Sequence, residues 1–264
     1  MQWIKKRLRS LRSIAWNLAG KAYAAHWSDP RSIELIETTP PKPNDLEVFF
    51  DSRKEGRGIW KWRHYFDIYD KFFKKFRGRK VHVLEIGIYS GGSLDMWRDY
   101  FGPNVQITGI DIEPACKAYE QAGVRVLIGD QSDRAFLRKV VAEIPPIDIV
   151  IDDGGHAPHQ QRTSLEELLP HLADGGVYLC EDVHGKNQFA EFVAGMAFSL
   201  NNWKQGLQSE TDPERRSVVA CSPFQASIDS VHFYPFVTVI EKRPQMLAEL
   251  VAPKHGTSWQ PFLK

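Results

Sequence analysis

The stretch between residues 81 and 93 constrains the fold more than any other part of the chain. It begins with an apolar run that ends at Gly87, and Gly91 and Gly92 follow before the apolar positions of a predicted helix. A short apolar run that stops at a glycine is typical of a buried parallel strand. Strand, glycine turn and helix start together form the nucleotide-binding corner of a doubly wound sheet, so the sequence predicts an α/β fold with a ligand at this turn.

The spacing of these glycines indicates which ligand the turn would suit. The pattern Glu85-x-Gly87-x-x-x-Gly91-Gly92 differs from Gly-x-Gly-x-x-Gly, so a dinucleotide is not the best match. An acidic residue just before the first glycine suits a ligand that carries an ammonium group, and S-adenosylmethionine is such a ligand. A tight turn with nothing bound is the alternative. Ser93 is expected to cap the helix that follows.

Length, charge and cysteine content exclude several classes of protein. With 264 residues the chain is long enough for one α/β domain and an extension, and a formal net charge of +1 argues against a nucleic-acid binder. The three cysteines have no metal-type spacing, which favours a reducing compartment. No apolar stretch approaches the ~20 residues that cross a bilayer, and no secretory signal is recognisable. A cytoplasmic location is therefore expected.

Residues 1–45 are predicted to form a basic amphipathic helix followed by a proline-rich linker, and residues 46–264 the main domain. Residues 1–25 contain six lysines and arginines, and no acid precedes Asp29. Peripheral contact with an anionic membrane surface or with a protein partner would suit such a helix. The alternative is that it packs on its own domain or on a neighbouring subunit of a homo-oligomer.

After the glycine motif, apolar runs repeatedly end in acidic residues, which predicts further parallel strands. Two closing apolar runs around Pro235 predict an antiparallel edge pair, so the expected sheet has seven mostly parallel strands. Residues 203–229 are polar and suggest a mobile insertion. Ligands of open α/β sheets bind beyond the carboxyl ends of the strands. The polar residues expected at those ends are Asp111, Asp130, Gln131, Asp152, Asp153, Glu181 and Asp182.

Three of these residues are candidate contacts for a nucleoside. Asp111 lies 24 residues after Gly87, close to the ~20 expected for an acid that hydrogen-bonds ribose hydroxyls. Asp130 and Gln131 follow the next strand and are placed to reach an adenine amino group. An Asx turn with a helix cap is the alternative interpretation of this stretch.

Three carboxylates at neighbouring strand ends predict a metal centre. Asp153, Glu181 and Asp182 would repel one another unless a cation neutralises them, and all-oxygen ligation favours Mg²⁺. His156 follows a glycine pair beside them and is the candidate general base, with a structural histidine as the alternative. For Asp152 the alternative is a purely structural role. Adjacent residues on a strand point to opposite faces, so Asp152 would point away from Asp153.

Five motifs, taken in order, resemble the metal-dependent sugar O-methyltransferases of macrolide biosynthesis, the mycinamicin type, and the related rhamnosyl O-methyltransferases and proteins labelled cephalosporin hydroxylase. The similarity covers about residues 50–242 and implies a Rossmann-like methyltransferase fold. It also implies S-adenosylmethionine and Mg²⁺ as cofactors, Asp153, Glu181 and Asp182 as metal ligands, and His156 as base. The motifs are Leu-Glu-Ile-Gly-x-x-x-Gly-Gly-Ser, Gly-Ile-Asp-Ile, Gly-Asp-Gln-Ser-Asp, Ile-Asp-Asp-Gly-Gly-His and Glu-Asp-Val-His.

The resemblance also implies the residues that contact the cofactor. The full predicted cofactor-binding set, with Tyr89 from the glycine turn and Asp152 added, is Glu85, Gly87, Tyr89, Ser93, Asp111, Asp130, Gln131 and Asp152.

The resulting hypothesis is a methyltransferase that acts on a sugar hydroxyl of a glycosylated natural product or glycolipid. One alternative is a metal-dependent hydroxylase, which is disfavoured because iron oxygenases usually use two histidines and one carboxylate. The other is a non-catalytic cofactor-binding partner protein.

Overall fold

The computed structural model describes residues 2–27, 42–185, 188–201, 216–253 and 255–256. Contacts within the chain divide it into two units, Met1–Lys42 and Pro43–Lys264. The predicted proline-rich linker lies largely outside the described residues.

The described residues of the first unit form a helix, α1, from Gln2 to Ala25. Every residue from 14 to 27 is exposed, including the large apolar side chains of Ile14, Trp16 and Leu18. Within the described ranges, no helix combines the length and the apolar character that crossing a membrane would need. Membrane contact, a homo-oligomer and the cytoplasmic location stay predictions.

The second unit is an α/β domain whose elements alternate along the chain. Its helices are α2 (Asp45–Ser52), α3 (Tyr65–Phe73), α4 (Gly92–Phe101), α5 (Arg134–Glu143), α6 (Pro158–Leu168), α7 (Gln188–Leu200) and α8 (Pro223–Ser227). Its strands are β1 (Val81–Ile86), β2 (Val105–Asp111), β3 (Val124–Ile128), β4 (Ile147–Asp152), β5 (Leu172–Cys180), β6 (Arg216–Ala220), β7 (Ile228–Tyr234), β8 (Val237–Lys242) and β9 (Glu249–Pro253).

Seven of these strands form one sheet in the order β3-β2-β1-β4-β5-β8-β7. Strands β1 to β5 pair in parallel, and β8 is antiparallel to both β5 and β7. The predicted seven-stranded, mostly parallel sheet with an antiparallel edge pair is confirmed. Because the order reverses between β1 and β4, the carboxyl ends of these two strands open the crevice in which such sheets bind ligands.

A second, two-stranded sheet pairs β6 with β9 and was not predicted. The interpretation of residues 203–229 as one polar insertion was wrong for residues 216–229, which form β6, α8 and the start of β7. The rest of that stretch lies outside the described residues. Each of these two strands is five residues long and contains only three consecutive apolar residues, too few to show the period of a strand.

The sheet is buried on both faces, which explains why its strands are almost continuously apolar. Side chains alternate along β1, so Val81 and Val83 join one core while Leu84 and Ile86 join the other. The aromatic helix α3 covers the first face, where Tyr69 stacks on Phe73. The side chain of Glu85 points to the same face of β1 as those of Val81 and Val83, so its carboxylate is directed toward α3 and α4.

Contrary to the prediction, Ser93 does not cap the helix after the glycine turn. The helix α4 begins after Gly91, which has φ 73° and gives no side-chain cap, whereas Ser93 lies inside the helix. Gly87 has φ 84°, and a β-carbon there would lie 2.0 Å from the backbone oxygen of Asp153. Only glycine permits this close approach between the ends of β1 and β4.

Candidate functional site

A cleft of about 690 Å³ lies at the carboxyl ends of the parallel strands. Its walls come from the ends of β1 to β5 and from the segment 58–62, which precedes α3. A volume of this size falls within the range of roughly 300–1,000 Å³ that small-molecule sites occupy. The cleft therefore has both the position and the size of a ligand site.

Two predicted cofactor contacts, Asp111 and Tyr89, face this cleft together. One carboxylate oxygen of Asp111, Oδ2, accepts a hydrogen bond from the backbone amide of Tyr89 at 3.0 Å. The other, Oδ1, accepts one from the amide of Glu113 at 2.9 Å. The end of β2 and the glycine turn are thus held in a defined geometry at the cleft wall.

Asp130 also lines the cleft, and it forms the Asx turn that was the alternative interpretation. Its Oδ1 accepts a hydrogen bond from the amide of Ser132 at 2.7 Å. This bond to the ionised form holds the pKa of Asp130 below its usual value. The turn fixes the carboxylate at the mouth of the cleft.

Glu85 is completely buried and is not among the residues that line the cleft. Ser93, which does line it, donates a hydrogen bond of 3.0 Å from Oγ to Oε2 of Glu85. The second oxygen, Oε1, is buried and makes no hydrogen bond of ordinary length and angle to a described residue, although the indole N–H of Trp97, buried in the same way, acts on this carboxylate. Burial raises the pKa of Glu85 to about 7.

Gln131 and Asp152 form a buried network that leaves little for a ligand. The amide nitrogen of Gln131 donates to Asp152 Oδ1 and to Ser164 Oγ, both at 3.0 Å, and its oxygen accepts from the amide of Gly155 at 2.6 Å. The other oxygen of Asp152 accepts from the Tyr178 hydroxyl at 3.0 Å. Gln131 lines the cleft, but its amide is used within the protein.

Asp152 fits its structural alternative in this geometry, and its contact with the cofactor stays a prediction. It is 1 % exposed, is absent from the cleft wall and points to the face opposite Asp153, as alternation along β4 requires. Burial raises the pKa of Asp152 to about 6.

The three carboxylates predicted at the ends of β4 and β5 do converge, and a lysine lies between two of them. Lys61 Nζ is 2.6 Å from Asp153 Oδ2 and 3.0 and 2.9 Å from the two oxygens of Glu181. The Lys61 side chain is only 4 % exposed. Burial alone would lower the pKa of this ammonium, but the charges of Asp153 and Glu181 outweigh that effect and raise the pKa above its ordinary value.

Helix α3 and the residues before it supply hydrogen bonds to the same carboxylates. The Tyr69 hydroxyl donates to Glu181 Oε1 at 2.6 Å. The Tyr65 hydroxyl and the Trp62 indole both donate to Asp182 Oδ1, at 2.8 and 3.1 Å. The aromatic run before the glycine motif therefore builds the site as well as the core.

His156 stands at the outer edge of this carboxylate cluster. Its Nε2 lies 3.1 Å from Asp153 Oδ1 and 3.6 Å from Asp182 Oδ2. The hydrogen bond with Asp153 raises the pKa of the imidazole, against the effect of burial. One ligand atom from each of Asp153, His156 and Asp182 lies within 4.8 Å of the others, a spacing at which all three can reach one metal ion. Glu181 is not part of this group.

Backbone strain is concentrated at the cleft. Among the described residues, the non-glycine residues with positive φ are Tyr89 (44°), His156 (57°), Asp182 (50°) and Phe236 (63°). The first three line the cleft, and the Phe236 ring packs against Trp62 with centroids 5.6 Å apart. Such conformations persist only where the surrounding structure imposes them, and they concentrate at functional sites.

An aromatic rim surrounds the cleft beside Asp182. The His184 ring also packs against Phe236, with centroids 5.7 Å apart, and Trp60 and Tyr89 are 88 % and 73 % exposed. Trp60, Trp62, Tyr89 and His184 all line the cleft.

Lys61 was not predicted from the sequence, although its ammonium lies at the centre of the site. Its partners lie 92 and 120 residues further along the chain, so no local spacing connects them. The one available signal was a lysine enclosed between Trp60 and Trp62 in a strongly aromatic stretch.

Comparison with known proteins agrees with this geometry. Residues 84–183 match the family described as a methyltransferase domain. The mycinamicin VI 2''-O-methyltransferase of Micromonospora griseorubida is 41% identical over 222 residues, which cover 76% of this chain and 53% of that protein. A tetracenomycin rhamnosyl 3'-O-methyltransferase of Streptomyces olivaceus is 36% identical, with 79% and 56% covered.

A solved structure is similar as well. MycE, a methyltransferase of the mycinamycin biosynthetic pathway solved in complex with Mg and SAH, superposes with a TM-score of 0.59 at 28% identity and covers 77% of this chain. The present chain spans about half the length of these relatives. Residues 84–183 are therefore similar to a methyltransferase domain, and the chain is similar to the sugar O-methyltransferases over about half of their length.

Proposed function

We propose that the protein transfers a methyl group from S-adenosylmethionine to a sugar hydroxyl of a glycosylated small molecule or glycolipid, with Mg²⁺ assistance and with His156 as general base. The observation that carries this proposal is the convergence of Asp153, His156 and Asp182 in the same cleft as the glycine turn. Two relatives are named as a mycinamicin VI 2''-O-methyltransferase and a rhamnosyl tetracenomycin 3'-O-methyltransferase. These names support a glycosylated small molecule as the acceptor.

The cofactor half of the cleft fits S-adenosylmethionine. Asp111 at the end of β2 is placed to accept hydrogen bonds from a ribose, and Gly87 lets a ligand approach the backbone. Glu85, two residues before Gly87, is buried behind Ser93 of the cleft wall, and its carboxylate would favour a cationic amino group bound there.

The donor set at the other end fits a hard divalent cation. Asp153 and Asp182, with Glu181 beside Asp153, would supply the carboxylate oxygens that Mg²⁺ prefers, and His156 would stand next to the ion as the base. When bound, the ion makes an acceptor hydroxyl easier to ionise, and the cofactor provides the electrophilic methyl group.

His156 is suited to remove the hydroxyl proton. Its side chain is 36 % exposed, compared with 18 % for Asp153 and 20 % for Asp182, so it is the member of the cluster nearest to the open cleft. Nε2–H donates a hydrogen bond to Asp153 Oδ1, 3.1 Å away, which orients the ring and stabilises the imidazolium that forms, so the other ring nitrogen, Nδ1, would accept the proton.

The aromatic rim is suited to hold the sugar. The C–H faces of a pyranose pack well on aromatic rings, and Trp62, which lines the cleft, donates a hydrogen bond to Asp182 and packs against Phe236. A ring seated there would present a hydroxyl toward the Asp153–His156–Asp182 cluster.

Methyl transfer from labelled S-adenosylmethionine to a panel of glycosides, including mycinamicin VI and rhamnosylated tetracenomycins, tests this function. We expect transfer that EDTA suppresses and Mg²⁺ restores. His156→Ala should lower the rate by about 100-fold or more without changing cofactor affinity, because general-base catalysis contributes roughly 10²–10⁴-fold. The matched control is His159→Ala, an exposed histidine on α6.

Other results would identify a different function. Cofactor binding without transfer to any glycoside would favour a non-catalytic partner protein. Transfer that does not respond to metal would remove the ion from the mechanism. The donor set of one histidine and two carboxylates does not favour the hydroxylase alternative, which usually requires two histidines and one carboxylate.

A further inference from the structure

The turn between β7 and β8 has a conformation that its own sequence does not favour. It consists of Pro235 and Phe236, since Tyr234 and Val237 form the last pair of the two strands. The ring of Pro235 fixes φ at about −65°, which excludes the two turn types that suit hairpins best, because both need a positive φ at the first position. Phe236, at the second position, has φ 63°, where glycine or asparagine is usual. The turn therefore places a bulky residue under strain.

Both carbonyl groups of this turn accept hydrogen bonds from neighbouring elements. A ring N–H of His64, at Nε2, donates one of 2.9 Å to the Pro235 oxygen, and His64 lies just before α3. The backbone amide of Val183 donates one of 2.8 Å to the Phe236 oxygen. Val183 directly follows Asp182, so the turn is fixed both to the start of α3 and to the segment that carries a candidate ion ligand.

The fixed turn holds the Phe236 ring against two side chains of the cleft wall. The ring centroid lies 5.6 Å from that of Trp62 and 5.7 Å from that of His184. Trp62 and His184 both line the cleft, whereas Phe236 does not. Phe236 can therefore influence a bound molecule through the positions of these two rings.

Trp62 and His184 are also connected to Asp182. The Trp62 indole donates to Asp182 Oδ1 at 3.1 Å, and the backbone amide of His184 donates to the backbone oxygen of Asp182 at 2.9 Å. The Trp62 side chain is nevertheless exposed, so its ring face is open to the cleft. This side of the cleft thus combines apolar ring surface with a carboxylate, which suits a molecule that has a C–H face and a hydroxyl.

We propose that Phe236 is a positioning residue for the acceptor: its strained backbone keeps the rings of Trp62 and His184 in place as a platform for the apolar face of the acceptor beside Asp182. This inference rests on the proposed function, and it narrows the acceptor to a molecule whose reacting hydroxyl adjoins an apolar face. A ring without this role could be replaced by glycine at no loss, because glycine takes a positive φ without strain.

Phe236→Gly should separate acceptor binding from stability. It removes the ring and the strain, and it keeps the backbone bond from Val183, so the position of Asp182 is preserved. The KM for a glycosylated acceptor should rise by about 5- to 10-fold, the size of a lost aromatic contact, while kcat and cofactor affinity change by less than about 3-fold.

Two further variants at this position separate the ring from the strain. Phe236→Ala removes the same ring without relieving the backbone, so its thermal midpoint should lie below that of Phe236→Gly. Phe236→Tyr retains an aromatic ring and should restore most of the acceptor affinity that Phe236→Gly loses.

The experiment is fluorine NMR on the full chain labelled with fluorotryptophan, in the presence of S-adenosylhomocysteine and Mg²⁺. The probes are mycinamicin VI and a rhamnosylated tetracenomycin, and Trp62→Phe assigns the Trp62 signal. This signal should move when a probe is added to the wild type, and in Phe236→Gly it should differ from wild type before any probe is added. The titration gives Kd, and methyl-transfer kinetics give KM and kcat. Phe233→Ala, at an exposed phenylalanine of β7 outside the cleft wall, is the matched control and should change neither the signal nor Kd.

Three results would overturn the inference. An unchanged Trp62 signal in Phe236→Gly would show that Phe236 does not position Trp62. Wild-type KM and Kd in Phe236→Gly would show that the acceptor does not depend on this ring. Both of these results leave the proposed function standing. A wild type that binds the cofactor but neither binds nor methylates any glycoside would overturn the proposed acceptor, and this inference with it.

Discussion

The hydroxyl of Tyr65 donates a hydrogen bond of 2.8 Å to Oδ1 of Asp182. Asp182 lies 117 residues further along the chain, just after β5, and has a positive φ of 50°. The bond joins the first turn of α3 to the strand end and selects which carboxylate oxygen faces His156. A residue of the aromatic core helix therefore sets the geometry of a candidate ion ligand.

Tyr65→Phe should reduce methyl transfer by about 10-fold with little change in cofactor affinity, because it frees the Asp182 carboxylate to rotate. The unfolding free energy should fall by about 1.5–3 kcal/mol, the range for a hydrogen bond to a charged group. Both are measurable by steady-state kinetics and urea unfolding. Tyr100→Phe is the control, since Tyr100 makes an equal bond of 2.8 Å to Asp70 away from the cleft. Equal losses of activity in the two variants would contradict the prediction.

Gly87→Ala should destabilise the protein and abolish cofactor binding. Its β-carbon would lie 2.0 Å from the Asp153 backbone oxygen, so the ends of β1 and β4 would have to separate. Gly78→Ala is the matched control, because Gly78 also has positive φ (70°) but a β-carbon there meets nothing within 4 Å. The control should cost about 1 kcal/mol from backbone conformation alone and leave calorimetric cofactor binding intact. Comparable binding by both variants would show that the close approach is dispensable.

The parts of the fold that could be predicted are those encoded by local patterns. Continuous apolar runs identify strands buried on both faces, and acids directly after them mark carboxyl ends. Because parallel strands present those ends at one edge, the convergence of Asp153, Glu181 and Asp182 follows from the positions of these acids along the chain. Residues 216–220 and 249–253 lacked such a pattern, and their small sheet was missed.

The partners of individual residues within the site could not be predicted, because they are side chains that come together from distant parts of the sequence. Whether Gln131 faces a ligand or bonds inward to Asp152 and Gly155 is decided by packing between β3, β4 and α6. The same is true of Lys61, whose partners are fixed by the fold of a non-repetitive segment.

Glu167 and the two arginines that bind it, Arg134 and Arg138, are predicted to make a pH-dependent contribution to stability. Hydrogen bonds from Arg138 and Arg134 lower the pKa of Glu167 to about 2. A carboxyl group whose pKa is lower in the folded state than in the unfolded state stabilises the folded state at pH values above its ordinary pKa of 4.5. This stabilisation is lost as the pH falls toward 2. Glu167→Gln should therefore be less stable than wild type at pH 7, by less than about 1 kcal/mol because the arginines are exposed. In urea unfolding the difference should narrow between about pH 4.5 and 3; a constant difference would contradict the assignment.

The exposed helix α1 predicts binding to anionic vesicles. Ile14, Trp16 and Leu18 are all exposed, and residues 1–25 carry basic residues without an acid. We expect the full chain to sediment with phosphatidylserine-containing vesicles and not with neutral ones, and binding should weaken as salt rises. Trp16→Ala should reduce it, whereas Trp60→Ala, at an exposed tryptophan of the cleft rim, should not. Salt-independent self-association instead would indicate that a second copy covers α1.

The strained residues around the cleft imply that stability and activity are in conflict at this site. Tyr89, His156 and Asp182 each hold a side chain where the backbone alone would favour glycine, at a cost of about 1–2 kcal/mol apiece. Selection of this protein for heat resistance alone would thus be expected to accumulate glycine or asparagine at these positions and to yield sturdier molecules that no longer turn over substrate.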